Sequence, residues 1–199
     1  MSTLHFNGDK LALRRIMRET EQMPNLSVLE HGFMVARYFE DLRLHVLEGK
    51  PLKYEWRLPE WVKDTALWEI LPSLKTLRNY HIMHDCGKPF CHQVDEHGRS
   101  HFPDHASVSS SLWLSLTGNK VESYLMRHDM DIHLLKGCQV EEFASGPFAS
   151  ALLITGLCEL HANASMFGGI SSTSFKIKYK QINRRGKAIS SIITSNNKP

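Results

Sequence analysis

Apolar residues recur along this chain at three- and four-residue spacing far more often than in alternation, which predicts a mainly α protein. In residues 9–22, Leu11, Leu13, Ile16 and Met17 follow an Asp9 suited to an N-cap, so a short amphipathic helix is expected, ended by Pro24. A longer helix is expected over about 26–48, where Val28, Val35, Phe39, Leu42 and Val46 form a stripe completed by Gly32 and shared by His31. Pro51, Pro59 and Pro72 punctuate the next stretch, which reads as a loop and a short helix at about 60–71. Its Trp56, Trp61 and Trp68 read as core aromatics.

Ser73 then caps a helix with Leu74, Leu77, His81 and His84 on one face and Gly87 at a left-handed C-terminal position. Residues 88–103 read as a loop or small hairpin around the turn Asp95-Glu-His-Gly98. Asp104 is placed to cap a helix at about 105–117 with His105 in its first turn, and a helix at about 119–129 carries Val121, Leu125 and His128. Pro147 opens the last long helix, whose apolar face holds Leu153, Leu157, Leu160 and Ala164 and which Gly168-Gly169 terminates. Beyond it the period changes. Phe175-Lys-Ile-Lys-Tyr-Lys-Gln-Ile alternates, Asn183-Arg-Arg-Gly186 has turn chemistry, and Ala188 to Thr194 is rich in β-branched residues, so a C-terminal β-hairpin is expected.

A chain of 199 residues, 42% hydrophobic and 23% charged, has enough apolar material for one buried core, and one domain is the expectation. The net charge of +3 is mild but uneven, because Lys176, Lys178, Lys180, Arg184, Arg185, Lys187 and Lys198 close the chain with no acid among them. That basic segment, with Phe175 and Tyr179 interleaved, suits either a phosphate backbone or a merely solvated edge. Cys86, Cys91, Cys138 and Cys158 show no regular spacing and the N-terminus has no secretory pattern, so the chain reads as cytoplasmic. No apolar run approaches the roughly 18–20 residues needed to cross a bilayer.

The chemistry centres on Tyr80-His-Ile-Met-His84-Asp85-Cys-Gly-Lys88-Pro89, where an adjacent imidazole and carboxylate can reach one divalent cation or the space between two. His31 lies upstream, and His105, His128 and His161 follow on separate helices. Cys86, Cys91 and His92 offer a competing small zinc site, without a second ligand pair at the usual spacing.

Three segments, Glu30-His31-Gly32, His84-Asp-Cys-Gly-Lys-Pro89 and His101-Phe-Pro-Asp-His105-Ala, give the chain a resemblance to the HD-domain superfamily of metal-dependent phosphohydrolases over about residues 25–168. The likeness is nearest to the HD domains that accompany tRNA nucleotidyltransferases and to small bacterial and phage HD phosphohydrolases. It implies a single HD-type helical domain over residues 1–170, with the basic β-hairpin and tail of 171–199 part of the same domain. It also implies one or two metal ions. His31, His84 and Asp85 match the ligands of the first, His105 and His128 those of the second, with Asp85 bridging.

Lys88, fixed just after the helix end by Pro89, is placed to bind a non-bridging phosphate oxygen as a point charge, Arg127 is a weaker candidate for the same role, and Asp85 and Lys88 are the expected catalytic pair. The family's final aspartate has no direct counterpart: Leu157-Cys-Glu-Leu-His161 offers His161 or Glu159, and Asp129 is a third candidate. His161 is preferred, because it shares a helix face with Ile154, Leu157 and Ala164 while Glu159 is turned about 200° away. An imidazole in place of a carboxylate favours Mn, Fe, Co, Ni or Zn over Mg. His81, His92, His97 and His101 read as loop histidines, any of which could serve as a general acid.

The expected activity is hydrolysis of a phosphate ester of a nucleotide or nucleic acid by a phosphodiesterase or phosphatase, for example on a cyclic phosphate or an RNA end. Nucleoside mono- or triphosphate hydrolysis is the near rival. A non-catalytic RNA- or nucleotide-binding protein, holding its ligand with the basic hairpin, is the reading from another class.

Overall fold

Residues 6–196, which the computed structural model describes, form a mainly helical chain. In order come α1 (Lys10–Glu19), a hairpin of β1 (Glu21–Met23) and β2 (Leu26–Ser27), α2 (Val28–Glu48), a 3-10 turn (Glu60–Lys63), α3 (Ala66–Glu69) and α4 (Leu74–Met83). They are followed by α5 (Lys88–Cys91), a second hairpin of β3 (Gln93–Val94) and β4 (Ser100–His101), α6 (His105–Thr117) and α7 (Lys120–Arg127). Last are α8 (Asp131–Leu134), α9 (Val140–Ser145), α10 (Ala149–Ala162) and α11 (Thr173–Asn196). No described helix is long and apolar enough to cross a membrane.

Local chemistry starts several of these helices. Asp9 accepts from Ala12 N (2.8 Å) to cap α1, and Asn119 accepts from Glu122 N (3.1 Å) to cap α7. Ser27 and Glu30 make a reciprocal box on α2: Ser27 N and Oγ donate to Glu30 Oε2, and Glu30 N donates to Ser27 Oγ. Other signals acted differently. Asp104 stands at the start of α6 with φ 53° and makes no side-chain cap, and the expected 60–71 helix is split into a 3-10 turn and α3.

The described chain gathers into two compact units, one from the residues up to Met34 with Leu74–Asp129, the other from Val35–Ser73 with the residues from Met130 onward. In the first, α6 packs on α7 and α5, and α4 packs on α7, around buried Leu77, Tyr80, Met83, Trp113, Leu125 and Met126. The buried Glu122 is satisfied by the Trp113 indole (2.6 Å) and the Asn79 amide (2.9 Å), which removes the cost of an unpaired acid. Two glycines permit close backbone approach. A Cβ on Gly32 would stand 2.2 Å from the Ile82 carbonyl oxygen, and one on Gly87 would stand 2.4 Å from Ser109 N. Gly87 is therefore required by contact, and its φ of −80° is ordinary helical backbone where a left-handed one was expected.

In the second unit, α10 is buried along its whole length and packs with α8, α9 and α11. The expected C-terminal β-hairpin is instead the 24-residue helix α11. Its buried residues Phe175, Ile182, Gly186, Ile189 and Ile193 follow a helical period, and Gly186 lies against the Trp61 ring, where a Cβ would come within 2.4 Å. The alternation of Ile177 and Tyr179 with lysines was incidental, since Ile177 is exposed. Both small hairpins lie elsewhere, and Lys198 of the expected basic tail falls outside the described residues.

Candidate metal centre

Gly32 brings the start of α2 against the end of α4, and this sets His31 beside His84, ring centroids 5.2 Å apart and edge to face. α4 ends at Met83, so His84 and Asp85 occupy the turn just beyond it, not a last helical turn. Donor atoms of His31, His84 and Asp85 lie within 4.8 Å of one another, and all three residues are buried. Asp85 Oδ2 is 3.2 Å from His84 Nε2 and 3.8 Å from His31 Nε2, while Oδ1 is 3.5 Å from His105 Nε2. The two oxygens of one carboxylate thus face different imidazoles.

Backbone carbonyls orient two of those rings. His84 Nδ1 donates to His81 O (2.8 Å) and His105 Nδ1 donates to Phe102 O (2.9 Å), so each presents Nε2 toward Asp85. This outer hydrogen bond fixes the tautomer and raises the basicity of the presented nitrogen, as metal-binding histidines require. Lys88 completes the cluster: its Nζ donates to Asp85 Oδ2 (2.6 Å) and to Gln22 Oε1 (3.0 Å), and lies 5.4 Å from the Phe102 ring centroid. Burial alone would raise the Asp85 pKa, but the charges of His84 and Lys88, a hydrogen bond from His84 and the charge of His31 hold it well below the usual carboxylate range. Asp85 is therefore an anion, and two imidazoles with a carboxylate are a donor set that fits a borderline divalent cation.

Of the other candidate residues, Asp129 has a carboxylate oxygen within 4.8 Å of a His84 ring nitrogen. Among the described residues no group of three ligand donors includes His128, whose ring lies tilted against Tyr124 (centroids 4.2 Å apart), so of the two expected second-metal histidines only His105 faces Asp85. Arg127 is exposed and donates to Ser107 Oγ. Asp129 is buried and accepts from the Tyr80 hydroxyl, and the Tyr80 ring meets the His84 ring edge-on (6.4 Å). Glu159 pairs with His133 (3.0 Å).

His161, preferred from sequence as the last ligand, has both ring nitrogens engaged by backbone groups. Nδ1 donates to Leu157 O (2.8 Å) and Nε2 accepts from Arg57 N (3.0 Å), so binding a metal would orphan a backbone donor. Its ring is enclosed by Trp56, Phe175, Tyr38 and Tyr179, at centroid distances of 4.5, 5.2, 6.4 and 6.4 Å. The premise that only one of His161 and Glu159 faces inward also fails, since α10 is buried on every side.

The alternative zinc site does not assemble. Burial pushes the Cys86 thiol up to about 12, it donates to Ser109 O, and Cys91 Sγ donates to Gly87 O, while His92 meets Ser100 Oγ (2.9 Å). His81 is a buried residue of α4, not a loop histidine; His92, His97 and His101 are exposed on or beside the second hairpin. Gln22 and Phe102, which hold Lys88, were not foreseen. Phe102 stood within the quoted His101-Phe-Pro-Asp-His105 segment, whereas nothing local marks Gln22. No protein-family model, curated protein or solved structure matches the chain.

Proposed function

We propose that this chain is a metal-dependent phosphohydrolase of HD type, acting on a phosphate ester of a nucleotide or nucleic acid. The observation that carries the reading is the single buried carboxylate of Asp85, one oxygen beside His31 and His84 and the other beside His105, with Lys88 at its edge. His31, His84 and Asp85 would hold the cation, with Mn, Fe, Co, Ni or Zn better matched than Mg to two imidazoles and one carboxylate. When bound, such an ion supplies Lewis acidity toward a phosphoryl oxygen and lowers the pKa of a bound water.

The protein's own groups would do the rest. Asp85, held as an anion, orients the attacking water. Lys88 neutralises a non-bridging phosphate oxygen, and His105, oriented by the Phe102 carbonyl, sits where it can hydrogen-bond the nucleophile or join a second ion. His92 stacks on Phe102 (5.1 Å), the ring that Lys88 also faces, and is the proton donor to the leaving oxygen in this reading. The test is to purify the protein without chelator, measure bound metal, and assay cyclic nucleotides, 2′,3′-cyclic phosphate RNA ends, phosphomonoesters and NTPs with Mn²⁺ or Co²⁺. Stoichiometric metal with turnover of one ester class is expected; no metal and no turnover would overturn the reading.

A second, non-catalytic reading is favoured by α11. Lys176, Lys180, Arg184 and Lys187 are all exposed and lie within about 80° of one another around the helix, which carries no acidic residue. A stripe of this kind suits the phosphate backbone of single-stranded RNA. Binding of an unstructured oligonucleotide is expected to weaken with salt at a log–log slope of about −3, from roughly 0.7 per neutralised phosphate. Replacing all four cations by Ala should remove that slope; unchanged binding by the quadruple variant would eliminate the stripe as a partner surface.

A further inference from the structure

Lys88 Nζ stands at the oxygen of Asp85 that also faces His84 and His31, and this is the oxygen a cation bound by those three residues would need. The ammonium is not there by default. Gln22 Oε1 accepts a second hydrogen bond from it at 3.0 Å, the Phe102 ring lies 5.4 Å beneath it, and its side chain is only 11% exposed. Three groups from separate elements therefore hold a monovalent cation at the divalent site.

We infer that Lys88 is the resident counter-ion of the centre: a divalent cation must displace it from Asp85, and a phosphate-bearing anion holds it in the displaced position, so that metal and anion bind cooperatively. The inference rests on the metal-centre reading above and adds to it the order and coupling of the two ligands. A cation of charge +2 entering the pocket meets the repulsion of an ammonium a few ångströms away, a penalty that burial enlarges. A phosphate entering beside the metal gives the ammonium a new partner of greater charge than half a carboxylate. Drawing Lys88 off Asp85 frees Oδ2. Because binding free energies are reciprocal, metal must then raise phosphate affinity by the factor that phosphate raises metal affinity. Selectivity follows as well, since a neutral or cationic substrate cannot draw Lys88 away and meets a centre whose metal site is still contested.

The experiment is calorimetric titration of Mn²⁺ into phosphate-free protein, repeated in saturating inorganic phosphate, for wild type, Lys88→Met, Lys88→Arg and Gln22→Ala. Without phosphate, Lys88→Met is expected to bind Mn²⁺ about tenfold or more tighter than wild type, and Lys88→Arg about as wild type, because the competing charge is removed only in the first. Gln22→Ala, which loosens Lys88 without touching the carboxylate, should tighten Mn²⁺ binding by a smaller factor, and this keeps the test sound if Lys88→Met folds poorly. Phosphate should raise wild-type Mn²⁺ affinity about fivefold or more. That gain should shrink in Lys88→Met to whatever direct phosphate–metal contact contributes. Equal Mn²⁺ affinity for wild type, Lys88→Met and Gln22→Ala would overturn the inference and leave the metal centre standing. Absence of Mn²⁺ binding from all four proteins would remove the metal centre itself, and the inference with it.

Discussion

Asp85→Asn is expected to weaken Mn²⁺ binding by more than about 100-fold and to abolish the proposed phosphate-ester hydrolysis, while the protein still unfolds cooperatively. Loss of an outer-shell partner typically costs 10–100-fold in affinity, so loss of a direct ligand whose carboxylate faces His31, His84 and His105 should cost more than about the upper end of that range. Asparagine keeps the shape of the side chain and one carbonyl acceptor but carries no charge to balance a divalent cation next to Lys88. The fold has other supports here: Gly32 against the Ile82 carbonyl and Gly87 against Ser109 do not depend on the carboxylate. Asp95→Asn is the matched control, because Asp95 also accepts from a histidine, His101 (2.9 Å), yet belongs to an exposed hairpin. Isothermal titration of both variants decides the matter. A folded Asp85→Asn protein with wild-type affinity, or an Asp95→Asn protein with the larger loss, would show that the cation binds elsewhere.

The helices were legible where one face is buried and the other wet. α1, α2, α6 and α7 lie within a few residues of where three-to-four spacing puts them, because burial of a stripe is written locally. α10 was found by the same spacing although it is buried on every side, and it ends at Ala162, short of the expected Gly168-Gly169 stop. α11 was misread for a physical reason. Its β-branched residues and its Asn183-Arg-Arg-Gly186 run are turn and strand signals in isolation, and tertiary packing overrode them: Gly186 is a contact glycine against Trp61, not a turn glycine. The hairpin of β1 and β2 went unseen because two- and three-residue strands carry too little pattern, with only the left-handed Asn25 (φ 63°) to mark the turn.

In the candidate centre, His31, His84, Asp85, Lys88 and His105 were readable as an ordered set, and the structure brings those five together. His128 and His161 were assigned by the same rule and stand outside it. Periodicity says that a side chain points inward but not what it meets there, and the partner of His161 is a backbone N–H 104 residues earlier in a proline-bounded loop. The same blindness hid Gln22, whose contact with Lys88 spans 66 residues.

His161 gives the second large effect, on stability. Burial, with the charge of Arg57 adding to it and the Leu157 carbonyl opposing it, lowers its pKa to about 4 from the usual 6.5. The folded state therefore favours the neutral ring, and the unfolded state takes up the proton first as pH falls. The contribution is complete above pH 6.5, is lost progressively from there down to about pH 4, and does not change further below that. A difference of this size corresponds to about 3 kcal/mol.

Urea unfolding of wild type and His161→Gln at pH 7.5, 6, 5 and 4 isolates the effect, since the acidic residues titrate alike in both. The gap in unfolding free energy between the two proteins should narrow by about 3 kcal/mol across that range, because glutamine has no proton to gain. Mn²⁺ affinity of His161→Gln at pH 7.5 should equal that of wild type. A pH-independent gap would mean that the imidazole titrates in the fold as it does in the unfolded chain, and a large loss of metal affinity would return His161 to the ligand set from which its two backbone hydrogen bonds now remove it.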